Sequence, residues 1–252
     1  MITDRYEALP PLRADLEKHL ADTRAYIAQN ITLPAEEMSG FFTKREEGYD
    51  EHMMRFAPCY DVTASHIPAD CRMLLDLGCG TGLELDALDR ICTKENRPFP
   101  RVTGIDLTQA LVDQLYRKHP DKDITVKIGS YFEVPLGHEV FDCAVSVESL
   151  HHFSPDEKLP LFRRVLDALK PGGLFLLCDY YACSQEEVDM CEEHWRVRRA
   201  MNKDVSDADF VHVDRPQLPF REAADMRKAG FAEVLYCTTG AEGTLLLIGR
   251  KS

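Results

Sequence analysis

The strongest chemical signal in the chain is the run Asp76-Leu77-Gly78-Cys79-Gly80-Thr81-Gly82. Glycines at alternate positions let the backbone take conformations that a side chain forbids, and let a ligand approach the main chain closely. A dinucleotide-binding turn would carry its third glycine where Leu83 stands, so that fingerprint fails. Asp76 also repels a diphosphate and favours an ammonium or a sulfonium. Further on, Val102-Thr103-Gly104-Ile105-Asp106 ends on a carboxylate. At a strand end such a group accepts bidentate hydrogen bonds from ribose hydroxyls, or else it caps the next helix.

A second group follows the apolar run 141–147: Glu148-Ser149-Leu150-His151-His152-Phe153. Imidazoles titrate near neutrality and can take a proton. The plainer alternative is that one histidine packs on a ligand and the other starts a helix. Glu148 and Asp179 belong to the same rim and suit a base or an acceptor-binding group, with Asp179 better placed directly after a strand. The run Glu192-Glu193-His194-Trp195-Arg196-Val197-Arg198-Arg199 can bind an anion, but a solvated helix face is the preferred reading. Nine cysteines form no CxxC pair and no cluster with zinc-finger spacing. No metal is expected, and reduced buried thiols fit the pattern better than disulfides.

The elements that must hold these residues alternate from residue 71 onward. Strands are expected at 73–77, 102–105, 124–128, 141–147, 174–178, 233–237 and 244–248, the last two as an antiparallel hairpin. Helices fall at 83–91, 109–118, 155–169 and 217–228, with Thr108 as an N-cap and Lys170-Pro171-Gly172-Gly173 as a stop signal. Continuous apolar strands between amphipathic helices mean a mostly parallel sheet covered on both faces. Ligands then bind beyond the carboxyl ends of the strands. Before residue 67 the pattern is helical, including a helix over 53–64, and a polar helical insert occupies about 184–205. Two regions result: an N-terminal helical lid, 1–66, and an α/β domain, 67–252. Phe41, Phe42, Tyr49 and Phe56 on one side, with Trp195 on the other, are suited to covering a ligand.

The 252 residues carry a formal net charge of −13, which repels a nucleic-acid backbone. Apolar stretches fall short of the ~20 residues that a spanning helix needs. With no secretory leader pattern after Met1, the expected setting is the cytoplasm.

From about Tyr49 onward the chain resembles class I S-adenosylmethionine (SAM)-dependent methyltransferases. The resemblance implies a Rossmann-like α/β fold with a seven-stranded, mostly parallel sheet of order 3-2-1-4-5-7-6, strand 7 antiparallel. It implies that Gly78, Gly80 and Gly82 pack under the methionine part of SAM, with Asp76 close by and Cys79 and Val147 among the contacts. Asp106 would hold the ribose, with Leu107, Ser130 and Tyr131 beside the adenine. Ser130 stands where the family usually has Asp. The segment from Arg45 to Asp50 and Arg55-Phe56-Ala57-Pro58 is similar to the lid of carboxy-SAM synthases, although the first motif lacks their departure from GCGTG. Lid Tyr49 would reach SAM's carboxylate, cover its methyl group, or simply glue the lid to the core.

The implied activity is methyl transfer from SAM to a small-molecule acceptor, with His151, His152, Asp179 and Tyr49 as catalytic candidates. Alternatives are an RNA-modification enzyme of the carboxy-SAM type and a SAM-binding regulator without turnover. A homodimer is left open.

Overall fold

The computed structural model describes residues 1–201 and 210–252. It opens with a two-residue strand, β1 (Ile2–Thr3), where the sequence pattern offered only a lead into helices. Four helices follow: α1 (Leu16–Asn30), α2 (Met38–Thr43), α3 (Tyr49–Met53) and α4 (Ala57–His66). Asp15 caps α1 by accepting the Lys18 N–H at 2.9 Å, and Glu37 caps α2 through the N–H groups of Ser39 and Gly40. The helix expected over 53–64 is divided by a single 3₁₀ turn, Met54–Phe56. Pro58 then sits in the first turn of α4, where its missing N–H costs nothing.

The alternating part runs β2 (Met73–Leu77), α5 (Leu83–Glu95), β3 (Arg101–Asp106), α6 (Gln109–Lys118), β4 (Ile124–Ile128), β5 (Phe141–Val147), α7 (Pro155–Ala168), β6 (Leu169–Tyr180). After it come α8 (Gln185–Met201), α9 (Pro219–Ala229), β7 (Glu233–Thr238) and β8 (Thr244–Arg250). Ser154 and Glu157 form a reciprocal capping box that starts α7. Residues 202–205 of the expected insert lie outside the described residues.

Strands β2 to β6 pair in parallel, and β8 lies antiparallel between β6 and β7. β1 adds antiparallel to β7, with Ile2 opposite Cys237 and Thr3 opposite Tyr236. The expected seven-stranded sheet is therefore eight-stranded among the described residues. Its order, β1-β7-β8-β6-β5-β2-β3-β4, differs from the expected one by the strand added beyond β7. Two residues show no period of their own, so only their distant partner makes them a strand.

Successive side chains of β2 enter opposite cores, as a strand covered on both faces requires. Leu74 packs with Leu85, Leu88 and the α4 residues Cys59, Tyr60 and Ala64. Leu75 and Leu77 pack with Phe162 of α7, Phe175 of β6 and Met226 of α9. Helix α4 is thus part of the core on one face. All nine cysteines are free, and eight are buried.

Candidate active site

The glycine turn joins β2 to α5 with Gly78, Gly80 and Gly82 all at positive φ, +80°, +46° and +76°. At Gly78 a Cβ would also lie 2.2 Å from Ser149 Oγ, so the turn tolerates no side chain there. Gly78 N–H donates to the Ile105 carbonyl, and Gly80 N–H donates to Asp106 Oδ2 at 2.8 Å. Asp106 Oδ1 accepts the Thr108 N–H at 2.8 Å. The carboxylate therefore ties the turn to the start of α6, which Thr108 precedes without a side-chain cap bond.

These residues line an inner cavity beyond the strand ends. Its wall includes Gly78, Cys79, Gly80, Asp106, Leu107, Tyr131 and Val147 from the sheet side, and Tyr49 from α3. His152 reaches it from the rim. Three expected contacts stand back from the wall. Gly82 faces Leu115, whose Cγ would lie 3.2 Å from an added Cβ. Ser130 is buried and caps its own turn, its Oγ accepting the Phe132 N–H at 3.1 Å. Asp76 lies under the wall, 1% exposed, against Glu84, which does line the cavity. Burial pushes the Asp76 carboxyl up to about 7. Burial and the neighbouring Asp76 push Glu84 well above the carboxylate range, so the pair holds a proton.

The free volume of this cavity is about 60 Å³, well below the ~300–1,000 Å³ of small-molecule sites. Phe42, Tyr49 and Met53 close it from the helical side. Tyr49 hydroxyl would be 3.7 Å from a Cβ on Gly80. The cover is fastened where Thr81 Oγ1 donates to Asp50 Oδ1, and where Lys118 Nζ bonds both Asp50 and Asp86, at 3.0 and 2.6 Å.

An outer cavity of about 490 Å³ adjoins it, walled by Phe41, Phe42, Tyr49, Phe56 and Tyr180 with His151, His152, His212 and Asp214. Phe42, Tyr49, Met53, Glu148 and His152 face both cavities. Glu148 holds φ at +50°, rare for a residue with a side chain, and its N–H donates to the Cys178 carbonyl. Burial, and then Asp179, push its carboxyl well above the usual range.

Asp179 lines neither cavity. It is 2% exposed, accepts the N–H groups of Leu150 and Tyr180 at 2.9 Å each, and bonds His151 Nδ1 at 2.5 Å. Burial opposes charge on His151, but Asp179 and Asp214 overcome it and raise its pKa. His152 is lowered by burial and by His151. Burial and His152 push His212 down to about 3.

Reading by motif missed Met38, Met53, Tyr60, Glu84 and Ser149 in the inner wall, and His212 and Asp214 in the outer one. His212-Val213-Asp214 puts an imidazole and a carboxylate on one side of an extended stretch, the one signal that was there to see. Arg164 was also missed. Its guanidinium donates to the carbonyls of Tyr131, Phe132 and Val134 and so holds the loop after β4 in place. Trp195 lines neither cavity; it packs on Ala35, Val211 and Val213, with the Arg215 guanidinium 4.0 Å from its ring. Arg196 pairs with Glu193 on the surface, and Arg198 donates to the carbonyls of Leu33 and Pro34.

A mostly parallel sheet, a glycine turn after β2 and a carboxylate at the end of β3 define a Rossmann-like α/β protein. Residues 74–173 match the family model described as a methyltransferase domain. The chain is 27% identical over 163 residues to erythromycin 3''-O-methyltransferase of Saccharopolyspora erythraea, covering 56% of this chain and 51% of that protein. It is 27% identical over 139 residues to a carboxy-S-adenosyl-L-methionine synthase of Aeromonas salmonicida, covering 50% and 52%. Among solved structures, the 1,6-didemethyltoxoflavin-N1-methyltransferase of Burkholderia thailandensis superposes with a TM-score of 0.56 at 17% identity, over 97% of this chain and 93% of that one. The chain spans about half the length of the curated relatives it matches. The match marks residues 74–173 as a methyltransferase domain, and the relatives named as methyltransferases support S-adenosylmethionine as its cofactor. No helix of the described residues is long and apolar enough to cross a membrane.

Proposed function

We propose that the chain transfers the methyl group of SAM to a small-molecule acceptor held in the outer cavity. The observation that carries this reading is the shared wall: Tyr49, Glu148 and His152 face both a cavity at the glycine turn and an aromatic-lined cavity beside it. SAM's methionine end would lie over Gly78, Cys79 and Gly80, its ribose on Asp106, and its adenine near Leu107 and Tyr131. The methyl group would then point at the wall. Methyl transfer is an in-line displacement. The acceptor's lone pair forms a bond to the methyl carbon as the C–S bond breaks and its electron pair goes to sulfur.

The main work of such a site is positioning and water exclusion. Within the expected lid, 1–66, α2 and α3 act in this reading as the cover while α4 belongs to the core, and the narrow inner cavity requires that cover to shift when SAM enters. Asp179 holds Nδ1 of His151, so that Nε2 is the nitrogen that would receive a proton from an acceptor O–H or N–H. An acidic chain fits a cytoplasmic enzyme acting away from nucleic acid. Similarity to a carboxy-SAM synthase favours a second reading, an RNA-modification enzyme of the carboxy-SAM type. Titration with SAM and with NAD, followed by a metabolite screen for products heavier by one methyl group, tests the proposal. NAD binding as tight as SAM, or methylated RNA as the sole product, would defeat it.

A further inference from the structure

The acceptor-side rim holds more imidazole than one proton transfer uses. The rings of His151 and His152 are 4.1 Å apart, and that of His212 lies 4.6 Å from His152. His151 Nε2 and His152 Nδ1 lie 3.7 and 3.2 Å from the same atom, Asp214 Oδ1. All three ligand atoms fall within 4.8 Å of one another. The shorter contact pairs a buried imidazole nitrogen with a carboxylate oxygen outside good hydrogen-bond geometry. Two atoms bound to one zinc-class ion at ~2.0–2.2 Å in a tetrahedral sphere stand about 3.3–3.6 Å apart, and the two separations here bracket that range to within about 0.1 Å. Asp179, which also accepts the N–H groups of Leu150 and Tyr180, accepts the Nδ1 hydrogen of His151 and leaves Nε2 3.7 Å from Asp214 Oδ1. A carboxylate behind an imidazole in this way is how metal-binding histidines are oriented. The segment that delivers the third ligand is anchored beside the rim, with Arg215 N–H donating to the His151 carbonyl at 2.6 Å. Asp214 itself is 51% exposed, which gives an ion a way in.

We propose that His151, His152 and Asp214 bind one divalent transition-metal ion of the zinc class, its open positions facing the outer cavity. Two imidazoles and one carboxylate are the donor set such ions prefer. The use of the ion rests on the methyl-transfer reading: it selects acceptors that bring an oxygen or nitrogen donor to an open position. A lone pair that coordinates an ion cannot also take a proton. In the ion-bound enzyme the ion acidifies the acceptor and the proton leaves to water.

The full chain, stripped with a chelator and dialysed, is titrated with Co²⁺ and followed by its visible bands, then with Zn²⁺ by calorimetry. One ion per chain is expected. Asp179→Asn should weaken it by ~10–100-fold, and Asp214→Asn or the His151→Ala/His152→Ala pair by more. Two other clusters among the described residues could hold an ion: His19→Ala removes a member of His19, Cys183 and Glu187, and Glu148→Gln a member of Glu148, His151 and Asp179, and both variants should bind as the unmodified chain does. Absence of stoichiometric binding, or binding lost in His19→Ala or Glu148→Gln and kept in Asp214→Asn, would overturn the proposal. S-adenosylhomocysteine binding on the same samples reports that each variant is folded. Failure of the unmodified chain to bind it would count against the methyl-transfer reading and leave the metal result standing.

Discussion

Replacement of Asp106 by Ala isolates the contact that distinguishes a ribose site from a helix cap. A carboxylate offers about four lone-pair sites, and two of them are used here, by Gly80 N–H and Thr108 N–H at 2.8 Å each. Asp106 also lines the inner cavity, so its remaining acceptor capacity is available to ribose hydroxyls in the proposed reading. A hydrogen bond to a charged group contributes ~1.5–3 kcal/mol. Loss of one such bond lowers SAM affinity by roughly 10–100-fold. Asp106→Asn keeps one oxygen acceptor but turns an amide NH₂ toward Gly80 or Thr108, so its affinity should fall between those of Ala and the unmodified chain. Calorimetric titration with S-adenosylhomocysteine measures all three proteins, with thermal unfolding run in parallel. A folded Asp106→Ala protein that binds as the unmodified chain does would refute the reasoning, and Asp106 would then serve only to tie the glycine turn to α6.

Burial holds Asp76 up to about 7, above its unfolded value of 3.8. Its contribution to stability is therefore full at low pH and is lost as pH rises through 7. The stability advantage of Asp76→Asn should widen from about pH 4 to pH 7 and then level off, and parallel profiles would show the carboxyl to be ionised throughout. Lys158 Nζ lies 2.6 Å from Glu222 Oε1 with both side chains almost fully buried. Lys158→Ala leaves that carboxylate stranded and should cost ~3–5 kcal/mol by urea denaturation; an equally stable variant would show the pair to be idle. Phe42→Ala opens the cover of the inner cavity and should speed both association and dissociation of SAM in stopped flow. Unaltered rates would mean that the cover does not gate entry.

The glycine turn and Asp106 were legible because each lies within a few residues of a strand end, where short-range pattern and turn chemistry decide the backbone. The same holds for β2 to β8, whose apolar runs are several residues long. β1 was not legible. Its two residues meet a strand across the chain, and Met1 is anchored on Thr238. Nor did the helical pattern before residue 67 show that α4 belongs to the core while α2 and α3 cover the turn.

The sequence by itself determined the α/β class, the glycine turn with Leu83 at the third-glycine position, and the presence of Glu148 and Asp179 at strand ends. Only the tertiary structure decided how those side chains meet. Pairing of Val147 with Cys178 in the parallel register of β5 and β6 brings Asp179 to His151. The stretch after α8 returns His212 and Asp214 to the same rim, far from it along the chain. A turn's conformation follows from local sterics, but a contact across strands follows from register, and a pKa follows from burial. Both depend on where the rest of the chain comes to lie.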